Sequence, residues 1–419
     1  MNKEKILQNL IAEYYKSTYI DSIPEIEKRE FGKGELGKKI TNRHLAFKNS
    51  QEFNNFLREK APFYVSYSAA LYEKPEAKPM EAKKIIGSDL VFEFDADDFI
   101  TECKQNHDSW ECPNCKANGK GLLRECPECG SGTITNEWVC ENCLTEVKKE
   151  TQKLLELLKN DFGFNEGITI NYSGHKGFHV HVRAKEIKKL SKSARTELTD
   201  YITGTNLEIK ALGFDLQQKE KKETYYKCPK KSQAKGWQKK ILEGIQETLE
   251  QTNEEELAEI ARKGMPKKRA IETAKKILEK KQEIIENMEN GKLINLQGTK
   301  GNFFWQEIIK NAITKKTIKI DRQTSIDINK IIRVPETIHG ETGLIAKTID
   351  QEKLKDFDPL KECVVLPENE IKVQNAIAPK FMLKGKKFGP YNNEEVILPT
   401  YAAFIVMAKQ KSEKNDNNL

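Results

Sequence analysis

The sequence predicts a mixed α/β protein with a zinc-binding appendage and an inserted helical subdomain. Three observations lead to this prediction. Strand patterns and helical periodicities are interspersed through residues 1–185 and return after 317. Seven of the nine cysteines lie between Cys103 and Cys143. Between about 186 and 316 the composition shifts to lysine and glutamate runs with helical spacing.

Composition limits the classes of function. A chain of 419 residues is long enough for two or three folding units. Its formal net charge of +7 favours an anionic partner, and nucleic acid is the leading candidate. No stretch approaches the ~18 to 20 apolar residues of a membrane span. Because the N-terminus has an amphipathic helix pattern rather than a signal peptide, we expect a cytoplasmic protein without membrane contact.

Several elements follow from residue periodicity. We expect a helix at the N-terminus, strands around PFYVSYSAALY, and strands at ITINY and FHVHV. The spacing of Val147, Thr151, Leu154, Leu155 and Leu158 predicts a helix over 145–160. In the charged segment the helical positions are Ile241, Ile245 and Leu249, then Ile271, Ile277 and Leu278. Strand and turn signals return at IKIDRQTSIDI, and KQKSEKNDNNL is typical of a disordered tail.

The segment VFEFDADD, residues 91–98, combines an apolar strand pattern with a set of carboxylates. Alternation along a strand would place Glu93, Asp95 and Asp97 on one face. Such acids repel one another unless water, a proton or a cation relieves them, and Mg²⁺ prefers oxygen ligands. The segment therefore indicates a metal site, with a solvated acidic strand end as the alternative.

The cysteine-rich region offers enough ligands for two tetrahedral zinc ions. The CPNC and CPEC pairs predict a self-contained zinc ribbon, which leaves an outer site with one histidine. The ribbon would use Cys112, Cys115, Cys126 and Cys129, and the outer site Cys103, His107, Cys140 and Cys143. Because protein ligands would close both sites, we expect structural rather than catalytic zinc. A surface role for His107 is the alternative at that position.

The turn in YSGHKGFHVHV has the composition of an anion cradle. Gly174 and Gly177 permit a tight turn whose N–H groups can approach an anion, and His175 and Lys176 supply donors. Alternation would then direct one set of side chains to the core and another to the opposite face. The first set is Phe178, Val180 and Val182, and the second is His179, His181 and Arg183. A plain glycine hairpin is the alternative.

A later segment carries more polar residues around a proline-bounded loop. Asp321 and Asp327 come first, and Arg333 and His339 follow. Five of the six histidines fall inside the motifs described so far. That concentration favours function over chance.

These motifs together resemble the catalytic small subunit of the archaeal and eukaryotic DNA primase. The resemblance covers most of residues 10–185 and 317–347. It includes IEKREFG, APFYVSYSAALYEKP, the acidic strand, YSGHKGFHVHV and IRVPETIHGETGLIAK, in the family's order. It implies an α/β primase-type catalytic core with a mixed sheet.

The resemblance also implies roles for individual residues. Asp321 would be the third metal-binding acid, and Asp327 a secondary one. Phosphates of the incoming nucleotide would contact the SGHKG turn, and Arg333 and His339 would lie opposite. The implied nucleotide-binding residues in and just after this turn are Ser173, Gly174, His175, Lys176, Gly177 and His179.

Two departures from the family pattern stand out. The ribbon at 112–129 is inserted within the family's zinc site, which corresponds to the outer set. Glu93 stands where an aspartate is usual. The pair that completes the metal site with Asp321 is therefore either Glu93 with Asp95 or Asp95 with Asp97.

The implied activity is synthesis of short RNA primers on single-stranded DNA, by two-metal nucleotidyl transfer with Mg²⁺ or Mn²⁺. NTPs would be the substrates, with dNTPs as an alternative. The implied partner is a large subunit with an iron–sulfur cluster. Competing interpretations are a primase-polymerase or repair polymerase of the same superfamily, or a zinc-ribbon protein that binds nucleic acid without catalysis.

The expected organisation has six parts. The core comprises 1–102, 144–185 and 317–365. The zinc-binding module is 103–143, the helical subdomain is 186–316, and the C-terminal segment with its tail is 366–419.

Overall fold

The computed structural model describes residues 3–218, 224–263, 265–294 and 301–410. The chain forms two compact units. The first is Met1–Thr196 together with Lys319–Leu419, and the second is Glu197–Ile318. Helices and strands are both abundant, which confirms the predicted mixed α/β class. None of the described helices is both long and apolar enough to cross a membrane.

The first unit contains most of the strands. Its helices are α1 (Lys3–Ser17), α2 (Ser50–Lys60), α3 (Lys104–His107), α4 (Glu141–Phe162), α11 (Arg322–Ile326), α12 (Pro359–Glu362) and α13 (Thr400–Lys409). Its strands up to residue 182 are β1 (Phe31–Glu35), β2 (Lys38–Leu45), β3 (Tyr64–Ser68), β4 (Ala70–Tyr72), β5 (Ile85–Ser88), β6 (Leu90–Asp95), β7 (Ser109–Glu111), β8 (Asn118–Lys120), β9 (Ile134–Asn136), β10 (Ile168–Tyr172) and β11 (Gly177–Val182). Its later strands are β15 (Ile331–Arg333), β16 (Lys347–Ile349), β17 (Glu370–Ala378), β18 (Phe381–Leu383), β19 (Lys386–Phe388) and β20 (Tyr391–Pro399).

The second unit is mainly helical. Its helices are α6 (Gly236–Gln251), α7 (Glu254–Arg262), α8 (Lys267–Glu279), α9 (Lys281–Glu289) and α10 (Gly301–Lys316), and α5 (Lys192–Thr203) spans the boundary. Its strands β12 (Asp215–Gln218), β13 (Thr224–Lys227) and β14 (Lys292–Ile294) form a small sheet that the sequence analysis missed.

The helical periodicity of the second unit holds in α6 but only partly in α8. Ile241, Ile245 and Leu249 are fully buried, as predicted. A helix does form here, as the spacing of Ile271, Ile277 and Leu278 predicts, but Ile271 is 39% exposed. The buried face of α8 follows positions 270, 273, 274 and 277, and the helical period places Ile271 outside it.

Two four-stranded sheets frame the site in the first unit. One has the order β15-β3-β1-β2, and the other β16-β10-β11-β6. In the second sheet Asn171 lies opposite His179, and His179 lies opposite Glu93. Pairings between the described strands are antiparallel, whereas the sequence analysis expects a mixed sheet. Short antiparallel sheets satisfy the backbone hydrogen bonds here without parallel crossovers.

Strand β11 is buried on both faces. Phe178, Val180 and Val182 are fully buried, as predicted. His181, predicted for a polar face, is also fully buried, and its ring stacks on Tyr67 of β3 at 6.1 Å. The contact between His181 and Tyr67 shows that the two sheets pack against each other at this face.

The strand expected at IKIDRQTSIDI is wrong, and the disordered tail expected at the C-terminus stays a prediction. No strand forms among residues 318–328, where Asp321 instead caps the short helix α11. An aspartate that accepts backbone N–H bonds favours the start of a helix over continuation of a strand. The predicted disordered tail begins at 409, and residues 411–419 lie outside the described ranges. Before them, α13 is almost wholly buried.

Candidate active site and metal centres

The outer cysteine set forms a closed group of ligand atoms. The ligand atoms of Cys103, His107, Cys140 and Cys143 all lie within 4.8 Å of one another. Cys143 Sγ is 3.4 Å from Cys103 Sγ and 3.3 Å from His107 Nε2. Tetrahedral zinc with Zn–S bonds of about 2.3 Å requires sulfur separations of about 3.8 Å. The four residues therefore fit a structural zinc ion with small adjustments.

A carboxylate orients His107 toward this group. His107 is buried, and its Nδ1 lies 2.8 Å from Asp108 Oδ1. The same oxygen accepts a hydrogen bond from the Trp138 N–H. A carboxylate on the far nitrogen fixes the tautomer that presents Nε2 to a metal. This arrangement favours His107 as a ligand over a solvated surface histidine.

The ribbon set also closes, but nearer the surface. The Sγ atoms of Cys112 and Cys129 are 3.5 Å apart, and those of Cys115 and Cys126 are 3.4 Å apart. Cys115 and Cys129 are exposed. Strands β7, β8 and β9 form the sheet of this module. Four thiolates in the ribbon set, and three thiolates with one imidazole in the outer set, are both ligand sets that suit zinc.

The acidic segment divides into a strand and a turn. Strand β6 ends at Asp95, and Ala96–Asp98 is a 3-10 turn. The Asp95 side chain accepts a hydrogen bond from the Asp97 N–H and so caps this turn. Glu93 and Asp95 share a strand face, but strand alternation does not extend to Asp97. The expectation that all three acids share one face through alternation is therefore wrong.

Glu93 is surrounded by hydrogen-bond donors. Its carboxylate is 3.6 Å from His179 Nε2 and 3.2 Å from Lys330 Nζ, and Thr324 Oγ1 lies 2.7 Å from Oε2. Burial alone would raise the pKa of Glu93. Hydrogen bonding and attraction from His179, aided by Lys330 and Thr324, instead hold this pKa well below its usual range. Glu93 is therefore a carboxylate at neutral pH.

Asp321 is brought to Glu93 by the capping of α11. Its N–H donates to the Glu93 carbonyl at 3.1 Å. The Thr324 hydroxyl lies 2.8 Å from Asp321 Oδ2 and 2.7 Å from Glu93 Oε2, so it joins the two carboxylates. Lys330 Nζ donates to the same hydroxyl at 2.7 Å. Sequence reasoning missed Thr324, although its position three residues after a capping aspartate is a signal.

The turn acids are paired with a different lysine. The Lys176 ammonium contacts both Asp97 and Glu137 and lies 3.9 Å from Asp95 Oδ1. Burial, then repulsion from Asp95, raises the pKa of Asp97 to about 6 despite the lysine. Burial and the charges of Asp95, Asp321 and Glu93 also raise the pKa of Asp98. Asp98 and Glu137 are acids that the sequence analysis did not select.

A cavity of about 210 Å³ brings acids and cations together. Its lining comprises Lys39, Ile40, Ser66, Glu93, Phe94, Asp95, Ser173, His175, Gly177, His179, Lys330, Ile331, Ile332, Arg333 and His339. Sequence reasoning missed Lys39 and Lys330, which lie outside the quoted motifs, and Ser66, which lies within the APFYVSYSAALYEKP segment. Among the lining residues predicted from sequence, two acids face six members of the predicted nucleotide-binding set.

The basic side of the cavity is tightly packed. The rings of His175 and His339 stack at 4.7 Å, and the Arg333 guanidinium lies 4.9 Å from the centre of the Tyr64 ring. Arg333 is buried, and its Nη1 has no hydrogen-bond partner in the described part of the chain. Burial, followed by nearby cations, lowers the pKa of both histidines well below the usual value. They are neutral donors at pH 7, whereas Arg333 supplies positive charge.

The SGHKG turn differs from the predicted anion cradle. Ser173 Oγ accepts hydrogen bonds from the N–H groups of His175 and Gly177, at 3.3 and 3.1 Å. Those two donors are therefore used within the turn. Gly174 has φ +79°, and a Cβ on Gly177 would lie 2.2 Å from the Phe94 carbonyl oxygen, so both positions require glycine.

Four predicted active-site residues lie apart from the cavity lining. One of them, Asp321, is joined to Glu93 of the lining through the Thr324 hydroxyl. Lys176 is directed to the turn acids, and Gly174 contributes a carbonyl that accepts from Thr342. The Asp97 carboxylate contacts the Lys176 ammonium and does not line the cavity. Within the described residues, only the two cysteine-containing sets bring three or more His, Cys, Asp or Glu ligand atoms within 4.8 Å. Glu93, Asp95 and Asp321 would therefore have to move closer to share one cation.

Comparison with known proteins identifies the family of the chain. A sequence model described as DNA primase small subunit matches residues 133–350. A DNA primase small subunit PriS from Methanothrix thermoacetophila is 31% identical, over 97% of this chain and 98% of that protein. Proteins of the same name from Cenarchaeum symbiosum and Nitrosopumilus maritimus are each 28% identical, over 96% and 97% of this chain and equal shares of their own lengths. The chain belongs to the DNA primase small subunit family.

Proposed function

We propose that this chain is the catalytic subunit of a DNA primase, which makes short RNA primers on single-stranded DNA from NTPs. The observation that carries the proposal is the cavity in which Glu93 and Asp95 face Arg333 and a set of imidazole and hydroxyl donors. Template-directed nucleotidyl transfer needs both features. Acids are required on the side of the attacking hydroxyl, and donors are required around the triphosphate.

We assign the catalytic cations, Mg²⁺ or Mn²⁺, to Glu93, Asp95 and Asp321. The fit is supported by the positions of two ammonium groups. Lys330 Nζ lies 3.2 Å from the Glu93 carboxylate, and Lys176 Nζ lies 3.9 Å from that of Asp95, so two of these acids already have a positive charge nearby. When bound, divalent cations lower the pKa of an attacking 3′ hydroxyl and neutralise charge on leaving pyrophosphate. The Thr324 hydroxyl would orient the carboxylates of Glu93 and Asp321.

The triphosphate would be held by the basic side of the cavity. Arg333 has an unpartnered Nη1 and would supply positive charge, while the neutral rings of His175 and His339 would donate hydrogen bonds. His179 is held beside Glu93, which places it between the acids and the phosphates. Ser66, Ser173, Lys39 and Lys330 supply further donors in the lining. Lys176 would act on the acids rather than on the phosphates.

The test is incorporation of labelled ATP on unprimed single-stranded DNA, with Mg²⁺ or Mn²⁺ and without either. We expect short RNA products that depend on the metal. Products made from dNTPs alone would instead favour a primase-polymerase or repair polymerase. DNA binding without any incorporation would leave the non-enzymatic zinc-ribbon protein as the better interpretation.

We further propose that this chain works with a large subunit that carries an iron–sulfur cluster. Only Cys228 and Cys363 lie outside the zinc-binding module, and both are buried. Two thiols cannot supply the usual four ligands of such a cluster. We expect weak initiation by this chain alone. Equal initiation by the isolated chain and by the reconstituted complex would disprove the dependence.

A further inference from the structure

Glu137 lies outside the cavity, in the short connection between β9 and Cys140. Its carboxylate nevertheless contacts the Lys176 ammonium. That ammonium also contacts Asp97 and lies 3.9 Å from Asp95 Oδ1, so Asp95 is the most distant of three carboxylates around it. The Lys176 side chain is only 7% exposed. Because water reaches it poorly, these carboxylates determine its position.

Glu137 is itself fixed by its neighbours on several sides. The next residue, Trp138, donates its N–H to Asp108 Oδ1, the oxygen that also contacts His107 of the outer cysteine set. The Glu137 carbonyl accepts a hydrogen bond from Lys409 at the end of α13, at 2.6 Å. The Glu137 carboxylate also accepts from Thr135 Oγ1, at 3.1 Å. The carboxylate therefore has a defined place, rather than a free surface geometry.

We propose that Glu137 is a positioning residue of the active site, which holds the Lys176 ammonium away from Asp95 and keeps that carboxylate available to a divalent cation. The inference rests on the proposed function. Without the Glu137 charge, the ammonium would be attracted to the carboxylates that remain, Asp97 and Asp95. An ammonium paired with Asp95 competes directly with a metal for the same oxygens. Loss of the Glu137 charge also removes a direct attraction for the divalent cation, and this too weakens cation binding.

The first test measures metal binding without catalysis. Mn²⁺ is titrated into the zinc-replete full-length chain, and free Mn²⁺ is followed by its paramagnetic resonance signal. We expect Glu137→Gln to weaken Mn²⁺ binding by roughly tenfold, with unchanged zinc content, because an isosteric amide keeps the shape but loses the charge. The matched control is Glu146→Gln, which removes an exposed acid of α4 that pairs only locally with Lys149 at 2.7 Å. The control should bind Mn²⁺ like the unaltered chain.

The second test asks whether Glu137 acts through Lys176. In a Lys176→Met background, Glu137→Gln should lose most of its effect on Mn²⁺ binding, because no ammonium remains to be moved. An equal loss of affinity in both backgrounds would overturn the inference, and so would unaltered Mn²⁺ binding by Glu137→Gln alone. Failure of the unaltered chain to bind Mn²⁺ would instead overturn the metal site of the proposed function.

Discussion

Strand β6 and the turn Ala96–Asp98 are consecutive in the chain, but they place their acids in opposite electrostatic settings. In the strand, Glu93 is surrounded by donors from three other segments, which lower its pKa. In the turn, Asp97 shares one ammonium with Asp95 and Glu137, and its pKa rises to about 6. Glu93 and Asp97 are only four residues apart, yet their surroundings shift the two pKa values in opposite directions. We assign Glu93 to metal binding and Asp97 to the Lys176 network.

The largest expected effect concerns the acid common to both segments. Asp95 is the last residue of β6 and the cap of the turn, so Asp95→Asn should lower single-turnover incorporation by ~10³-fold or more. Asp321→Asn should have a similar effect, because Asp321 shares the Thr324 hydroxyl with Glu93. Fluorescence anisotropy should show that DNA binding survives in both variants.

Asp327→Asn provides the matched control for these two variants. Asp327 follows α11 and accepts a hydrogen bond from the Asn329 N–H, away from the carboxylate pair. Its incorporation rate should remain within about twofold of the unaltered chain, as expected for an exposed acid that binds no metal. Substantial activity in Asp95→Asn would contradict the proposed site.

The second prediction separates the strand from the turn. Glu93→Gln should also lower the rate by ~10³-fold, whereas Asp97→Asn should lower it by about tenfold or less. The reason is that Glu93 would bind the metal directly, while Asp97 acts through Lys176. Single-turnover incorporation at saturating Mg²⁺ measures both rates. Near-normal turnover in Glu93→Gln together with an inactive Asp97→Asn would reverse the assignment.

The third prediction uses pH to compare the same two acids in buffer without added divalent cation. The lowered pKa of Glu93 contributes stability above about pH 4.5, and this contribution is lost as pH falls. The raised pKa of Asp97 has the opposite sign: its contribution is present below about pH 4 and is lost as pH rises through about 6. Both signs refer to the free energy of unfolding.

Thermal unfolding of the two variants should therefore diverge with pH. At pH 7, Glu93→Gln should melt below the unaltered chain, and Asp97→Asn should melt at the same temperature or about 2 °C higher. Below pH 4, the Asp97→Asn difference should vanish, because protonated aspartate and asparagine are both neutral. A lower melting temperature of Asp97→Asn at pH 7 would show that its ion pair with Lys176 outweighs the repulsion from Asp95.

The smallest effect on activity is expected at the ribbon set. Cys126→Ser should lower the zinc content by about one ion, while incorporation stays within about twofold, since Cys115 and Cys129 are exposed and no ribbon cysteine lines the cavity. Cys140→Ser should also lose about one zinc. It should also reduce incorporation by roughly tenfold. His107 of the outer set contacts Asp108, which accepts the Trp138 N–H, and the neighbouring Glu137 contacts Lys176 beside the turn acids.

Elemental analysis of the pure chain gives the reference for both variants. About two zinc ions per chain are expected from the two closed sets. A content of one or none would contradict the two-site assignment. Equal activity losses in Cys126→Ser and Cys140→Ser would remove the distinction between a supporting set and a separate module.

The sequence by itself determined the family, the mixed α/β class and the ligand sets with closely spaced members. CxxC pairs and the glycines of SGHKG act through local backbone geometry, which a few neighbouring residues specify. For the same reason, the strands at ITINY and FHVHV and the helix after Cys140 could be predicted. The strand expected near Asp321 does not form, because helix capping by Asp321 overrides the local pattern.

Only the tertiary structure decided how the acids are divided. Glu93 meets Asp321 through Thr324, and Lys176 turns toward Asp97 and Glu137 rather than toward the cavity. These contacts join segments far apart in the chain. Their geometry depends on where β6 ends, on how α11 docks beside it, and on how the outer cysteine set holds Glu137. Spacing in the sequence names the charged groups, but the packing of distant segments selects which charges meet.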